Sequence, residues 1–318
     1  MTNKKAAHIM YPELDENFRV ERLKPRDGII RMVLDTDAFN EIDDQFALSH
    51  ALLSPERLRL EAVYAAPFFN ELSNGPKDGM EKSYDEIVHI LTRLKRMKEG
   101  VVFRGSESYL PGANTPVDSP AARDLVAKAL AMPDDEPLYV VAIGAITNVA
   151  SAILLEPSII RKIVVVWLGG HALSWRDTKE FNLVQDIHAA RVILDSGVPS
   201  VLIPCAGVAS HLITSLPEIE RYVRGRGEIG DFLAERYEGC SGDHFGYSRV
   251  IWDLSAVAYL LDPSYVPTDF VHSPLLTDQV TWSVDHGRHL IRCAYGVNRD
   301  AIFKDLFHKL EEHAQGTR

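Results

Sequence analysis

The stretch Gly28-Ile29-Ile30-Arg31-Met32-Val33-Leu34, continued by Asp35-Thr36-Asp37-Ala38-Phe39-Asn40-Glu41-Ile42-Asp43-Asp44, decides how this chain is read. Its first half is an apolar run that predicts a buried strand. Gln45 to Leu53 predicts the helix that follows. Between them, five carboxylates (Asp35, Asp37, Glu41, Asp43 and Asp44) fall within ten residues. Like charges this close repel, so a loop that gathers them points to a cation. The loop follows a strand, and open α/β sheets place their ligands at that end of their strands. Ca2+ takes roughly 6–8 oxygen ligands, and Mg2+ takes fewer with stricter geometry. No tight Cys/His cluster accompanies the loop, which disfavours zinc. The alternative is that Asp43 and Asp44 only cap the next helix and favour its positive end. Asp35 and Asp37 are not needed for that.

Strand-like and helix-like segments alternate downstream. Strands are expected at Leu58–Ala65, Val101–Phe103, Leu138–Ile143, Ile163–Leu168 and Pro199–Pro204, and helices at Lys82–Met97, Ala121–Met132 and Asp186–Ser196. Near-continuous apolar strands fit a parallel sheet covered on both faces. The expected fold class is therefore α/β, with an open, mostly parallel central sheet and helices on both faces (Rossmann-like). It forms a single domain over residues 28–318 behind an N-terminal extension at 1–27. Residues 69–80 and 105–120 read as loops, and Gly225 to Ser248 as a mobile flap. Val280–Val284 with Leu290–Ala294 reads as a hairpin, and Asp300 to about His313 as a final amphipathic helix.

Composition is that of an ordinary globular protein: 318 residues, 46% hydrophobic and 25% charged. A net charge of −11 disfavours a polyanion such as nucleic acid. Three widely spaced cysteines, Cys205, Cys240 and Cys293, suggest a reducing compartment without a disulfide framework. The leader from Met1 to His8 opens no apolar run of signal-peptide length. No stretch approaches the ~20 apolar residues that span a bilayer. A soluble cytoplasmic protein without a membrane partner is expected.

Four further segments place polar groups where the ligand-facing edge of such a sheet should be: Ala66-Pro67-Phe68-Phe69-Asn70, Gly144-Ala145-Ile146-Thr147-Asn148, Glu180-Phe181-Asn182, and Trp252-Asp253 opening a helix. With Asp35-Thr36-Asp37 and Asp43-Asp44 these motifs, in this order, resemble the calcium-dependent nucleoside hydrolases of the inosine-uridine-preferring type. The resemblance runs from about Ile29 to the C-terminal helix. It implies hydrolysis of the N-glycosidic bond of ribonucleosides in a dimer or tetramer, and Trp252 weakly favours purine nucleosides. It implies Ca2+ held by side-chain oxygens of Asp37, Asp44 and Asp253 and by the backbone carbonyl of Thr147, with Asp37 taking a proton from a calcium-bound water. Asp43, Asn70, Glu180 and Asn182 would hold the ribose hydroxyls, and Asp35 would brace the loop from behind. Each has a plainer alternative: Asn70 as a turn residue, Thr147 as a helix cap, Glu180 as a solvated charge, Trp252 as core. The chemistry agrees with the resemblance, because an oxocarbenium-like ribosyl cation needs anionic surroundings.

The chain departs from the family pattern in three places. The first loop is two residues longer between Asp37 and Asp43. Trp252 stands where many members carry a His that protonates the leaving base; purine-selective relatives place a Trp there and stack it on the base. The stretch Ser174 to Lys179 replaces an Asn for the ribose 5′-hydroxyl, so Trp175 or Arg176 reshapes that end. His244 and Tyr247 in the expected flap are candidates for an alternative acid or a sugar contact, against the plainer reading of His244 as a surface loop residue. Two other readings are kept. One is a ribosyl-binding protein that retains the metal without catalysis. The other is a Mg2+-dependent phosphatase of the haloacid-dehalogenase type, opened by Asp35-x-Asp37; Phe39 and the Asp43-Asp44 continuation do not suit it.

Overall fold

The apolar run after Ile29 forms strand β1 (Ile30–Thr36), which ends two residues later than its hydrophobicity suggests, so Asp35 still belongs to the ladder. In the computed structural model, which describes residues 10–316, β1 is an interior strand, third from one edge, of an eight-stranded sheet. Its neighbours are β2 (Leu58–Ala65) and β4 (Leu138–Ala142), both parallel, with Asp35 in register with Tyr64 and Ala142. With β3 (Val102–Arg104), β5 (Ile163–Leu168), β6 (Ser200–Ile203), β7 (Thr268–His272) and β8 (Leu290–Ala294), the order is β3-β2-β1-β4-β5-β6-β8-β7. Only the β7–β8 pair is antiparallel. Strand order runs outward in opposite directions from β1 and β4, and the gap between them is the switch point whose crevice takes ligands in doubly wound sheets.

The helices are α1 (Glu16–Arg22), α2 (Asp43–Leu52), α3 (Pro76–Arg93), α4 (Pro120–Leu130), α5 (Thr147–Leu155), α6 (Phe181–Gln185), α7 (Ile187–Asp195), α8 (Leu216–Tyr222), α9 (Gly227–Gly239), α10 (Leu254–Leu261) and α11 (Arg299–Gly316). Alternate β1 side chains face opposite layers. Met32 and Leu34 join a core with Phe46, Ile87, Leu233, Val257 and Phe303, from α2, α3, α9, α10 and α11. Val33 joins a second core with Leu125, Val149, Trp167 and Ile193, from α4, α5, β5 and α7. This two-face cover is why the strands read as continuous apolar runs.

Several expectations are corrected. The segment expected as a flap is mostly helix: α9 buries Ile229, Phe232, Leu233 and Tyr237 at helical spacing, and only residues 240–248 form a loop. The loop expected over 69–80 gives way to α3 at Pro76, whose missing N–H is tolerated in a first turn. Gly79 lies so close to Phe68 that a Cβ there would meet its carbonyl oxygen at 2.1 Å. The expected C-terminal hairpin does not form. Trp282–Ser283 pairs with Leu275–Leu276, while β8 inserts between β6 and β7 and buries Ile291 and Cys293 there. A place inside the sheet removes more apolar surface from water than a two-stranded ribbon would.

Of the expected extension 1–27, residues 1–9 lie outside the described residues, including the leader to His8. Residues 10–27 pack onto the sheet: Asp15 caps α1, Arg19 Nε donates to Gly197 O at 3.2 Å, and Arg292 Nε donates to Leu23 O at 2.7 Å. Among the described residues no helix is long and apolar enough to cross a membrane.

Helix α2 presents Asp43 and Asp44 from its first turn, and Phe46, with no exposed surface, anchors it to the core. Phe46→Ala is expected to destabilise the protein by about 3–5 kcal/mol, read as a fall in the urea midpoint; a loss under about 1 kcal/mol would show that this helix is anchored elsewhere.

Candidate active site

Each segment of the site leaves the same edge of the sheet. The loop after β1 turns through an Asn40 N–H to Asp37 O hydrogen bond of 2.7 Å. Two ties hold its extra length. Asn40 Oδ1 accepts from Asn70 Nδ2 at 2.7 Å, and Glu41 pairs with Arg249 Nη2 at 2.8 Å. From behind, Gln45 Nε2 donates to Ala38 O at 3.3 Å and to Glu86 Oε1 at 2.9 Å. Asp43 and Asp44 then open α2, where the helix end favours negative charge. Thr36 Oγ1 donates to Asp44 Oδ1. Gly144, in the turn after β4, admits Asp37: a Cβ there would stand 2.8 Å from Asp37 Oδ1.

Asp37, Asp43, Asp44, Glu180, Asn182, Trp252 and Asp253 line one cavity of about 270 Å3. All but Trp252 are buried, and Trp252 is half-buried. Carboxylate oxygens of Asp43, Asp44 and Asp253 lie within 4.8 Å of one another. Asp37 adjoins this group and feels the Asp44 charge. Asp37 Oδ2 and Asp43 Oδ1 are buried without a hydrogen-bond partner. Burial, then mutual repulsion, pushes Asp37, Asp43 and Asp253 well above the usual carboxylate range. Asp44 is pushed up to about 7, chiefly by burial, against hydrogen bonds from Thr36 and Asp253. Buried oxygen ligands that lack donors and repel one another are a poor arrangement alone and a good one around a hard divalent cation. The residues fit such an ion.

Glu180 and Asn182 form the opposite wall. Glu180 caps the short α6: Oε1 accepts Asn182 N–H at 2.8 Å, and Oε2 accepts Leu183 N–H at 3.1 Å and Gly170 N–H at 2.9 Å. Burial outweighs these bonds and raises Glu180 to about 7. Asn182 Nδ2 donates to Ile143 O and Leu168 O, at 3.2 Å each, spanning the ends of β4 and β5.

The remaining expected residues do not line the cavity. Asp35 lies beneath it, with Oδ1 accepting from Asn148 Nδ2 at 2.7 Å and its acidity lowered by burial to a value of about 7. Thr147 begins α5 and donates from Oγ1 to Asp186 Oδ2 at 2.8 Å. Asn70 reaches the first loop through Asn40. His244 donates from Nε2 to Glu238 O at 2.9 Å and stacks on Tyr237, with Tyr247 against its edge. Asn40, Glu41, His171, Lys179 and Cys205 line the cavity without having been singled out as site residues. His171 and Cys205 each stand just past the carboxyl end of a strand, a positional signal the sequence did contain.

Residues 71–304 match the family model described as inosine-uridine preferring nucleoside hydrolase. An enzyme of that description from Leishmania major is 29% identical over 178 residues, 52% of this chain and 55% of its own, so the match spans about half of that relative. A pyrimidine-specific ribonucleoside hydrolase of Klebsiella pneumoniae is 28% identical, over 74% of this chain and 81% of its own. Among solved structures, a plant nucleoside hydrolase superposes with a TM-score of 0.72 at 19% identity, covering 89% of this chain and 99% of its own. A purine-preferring ribonucleoside hydrolase from Gardnerella vaginalis gives 0.70 at 21%, covering 90% and 99%. At such identities these structures speak for the fold.

The raised carboxyls fix the sign of a pH effect. A carboxyl with a folded value near 7 binds its proton more tightly folded than unfolded. Its protonation therefore stabilises the metal-free protein at low pH, and the contribution is lost as pH rises through about 7. The chelator-treated protein is expected to melt at lower temperature at pH 8 than at pH 6, and millimolar Ca2+ to raise Tm more at pH 8. Calorimetry showing no calcium effect at either pH would argue that the cluster holds no cation.

Proposed function

This chain belongs to the inosine-uridine preferring nucleoside hydrolase family, and we propose that it hydrolyses the N-glycosidic bond of ribonucleosides to free base and ribose. The carrying observation is the cavity itself, which sets buried, unpartnered carboxyls against a polar wall at the switch point of the sheet. We assign the cation as Ca2+, held by Asp37, Asp44 and Asp253 with the Thr147 carbonyl, and Asp43 close enough to share the site. When bound, Ca2+ would supply polarisation of the attacking water and an anchor for sugar hydroxyls.

The chain's own residues do the rest. Asp37 Oδ2, buried and without a donor, is free to take the water's proton. Asn182 keeps Oδ1 for a ribose hydroxyl while its amide nitrogen is tied to the sheet. Asp43, Glu180 and, through the first loop, Asn70 complete the hold on the sugar, with Asp35 bracing from beneath. Carboxylates facing the sugar stabilise the positive charge that grows on it as the bond to the base breaks. Trp252 at the cavity wall offers a face for stacking a purine. His244 and Tyr247 belong to this reading only if the 240–248 loop moves toward the cavity. A cytoplasmic homo-oligomer acting on small nucleosides is part of the same proposal, supported by the family and by a net charge that repels polyanions.

Ribose release from a panel of nucleosides, with and without EDTA, tests the reading. Asp37→Asn is expected to lower kcat by about 10²–10⁴-fold, as removal of a general base does, and to weaken calcium binding; full activity would remove Asp37 from its role. Trp252→Ala is expected to raise KM for purine nucleosides about tenfold, within the range of base stacking, and for pyrimidine nucleosides less. Equal effects on both would exclude stacking.

A further inference from the structure

The first loop brings Asn40 to the wall of the cavity, whereas Asn70 does not line it. The two side chains meet, and their neighbours fix which way each amide faces. Leu72 N–H donates to Asn70 Oδ1 at 2.9 Å, closing an Asx turn. An N–H can only donate, so the Asn70 atom on that side is its oxygen. Asn70 Nδ2 points the other way and donates to Asn40 Oδ1 at 2.7 Å. Two amide nitrogens cannot bond each other, so Asn40 has to turn its own oxygen to Asn70. Asn40 Nδ2 keeps both of its N–H donors and has no partner among the described residues.

Both residues are held from their backbones. Asn40 N–H donates to Asp37 O at 2.7 Å, and the adjacent Glu41 pairs with Arg249 at 2.8 Å. Ser73 N–H donates to Asn70 O at 3.2 Å, and Ser73 Oγ donates to Phe68 O at 3.1 Å. An amide oriented before binding loses little freedom when a ligand arrives. A sugar hydroxyl brings one proton to donate and two lone pairs to fill. Asn182 can take the proton, because Oδ1 is left to it while Nδ2 is tied to Ile143 O and Leu168 O. With those donors spent, the lone pairs of a hydroxyl call for N–H groups on another side chain. Asn40 has two, on the loop that also carries Asp37 and Asp43.

We infer that Asn40 is a specificity-determining residue whose Nδ2 donates to a ribose hydroxyl oxygen, and that Asn70 is a positioning residue that acts through Asn40 without touching the sugar. The inference rests on the hydrolase reading above and adds a contact to it. The turn at Asn70 selects the face that the Asn40 amide shows to the cavity, and the length of the first loop carries that amide to the wall.

The test uses Asn40→Ala, Asn70→Asp and the double variant, all with millimolar Ca2+. Asn70→Asp keeps the oxygen that accepts the Leu72 N–H but sets a second oxygen against Asn40 Oδ1. Asn40 then turns over, bonds through Nδ2 and shows the cavity an oxygen. Ribose release gives KM and kcat for inosine and uridine, and competitive inhibition gives Ki for their 2′-, 3′- and 5′-deoxy analogues. Each single variant is expected to raise KM for the parent nucleosides by about three- to tenfold, the range of one neutral hydrogen bond, and to move KM more than kcat. The double variant is expected to raise KM no further than the larger single effect, as two residues acting through one contact do. The deoxy analogue that lacks the hydroxyl Asn40 meets is expected to keep its wild-type Ki in all three variants, while the other two weaken with the parent. KM and every Ki rising together would make the pair a mere support of the loop and overturn the inference. Wild-type constants in Asn40→Ala, or additive effects in the double variant, would overturn it as well. In each of those cases ribose release by the wild type leaves the hydrolase reading standing, whereas no release from inosine or uridine by the wild type would overturn that reading too.

Discussion

Repulsion among buried carboxyls is the constraint on which this structure turns. Asp37, Asp43, Asp44 and Asp253 come from the end of β1, the start of α2 and the residue before α10, and among the described residues none forms an ion pair with a lysine or arginine. The groups that touch or orient them are neutral: the Thr36 hydroxyl, the Asn148 amide beneath Asp35, the first turn of α2. Such groups orient carboxylates without cancelling charge. The four carboxyls carry no ion pair of their own, and the two cores hold the site together. Here the fold's stability and the site's chemistry pull against each other.

That tension accounts for how the first loop is supported. Glu86 is itself a buried carboxylate, but it has an ion pair with Arg236 at 2.7 Å and a hydrogen bond from Gln45. The neutralised carboxylate stands behind the loop and the unneutralised ones in front. The Glu41–Arg249 pair closes the loop on its exposed side and links it to the two-residue strand Arg249–Val250, which leads into Trp252 and Asp253. The extra length of the loop thus becomes a connection between two parts of the site that are about two hundred residues apart in sequence.

The fold was legible because strand burial on both faces writes itself as uninterrupted apolar runs. Leu58–Ala65 and Ile163–Leu168 are strands at the boundaries their residues suggest. Where polar and apolar signals overlap, local reading fails. The glycines and charges of residues 225–239 mask the helical spacing of Ile229, Phe232, Leu233 and Tyr237, and β8 finds its partners only through the sheet. The site divides along the same line. Its acidic residues are visible as motifs, since repulsion makes a carboxylate cluster conspicuous in any sequence. His171 and Cys205 are invisible as motifs, because their place depends on which strand ends are neighbours. Asp43's membership of the three-carboxyl group is a matter of side-chain direction, which no spacing reveals.

Glu180 shows how closely capping and ligand binding are joined here. A carboxylate has about four lone-pair positions. Glu180 uses three for the N–H groups of Gly170, Asn182 and Leu183. These bonds fix the turn after β5 against α6, and so fix Asn182 and His171 on either side of it. On the proposed reading a ribose hydroxyl takes the position these bonds leave open, because losing a backbone N–H would open the cap.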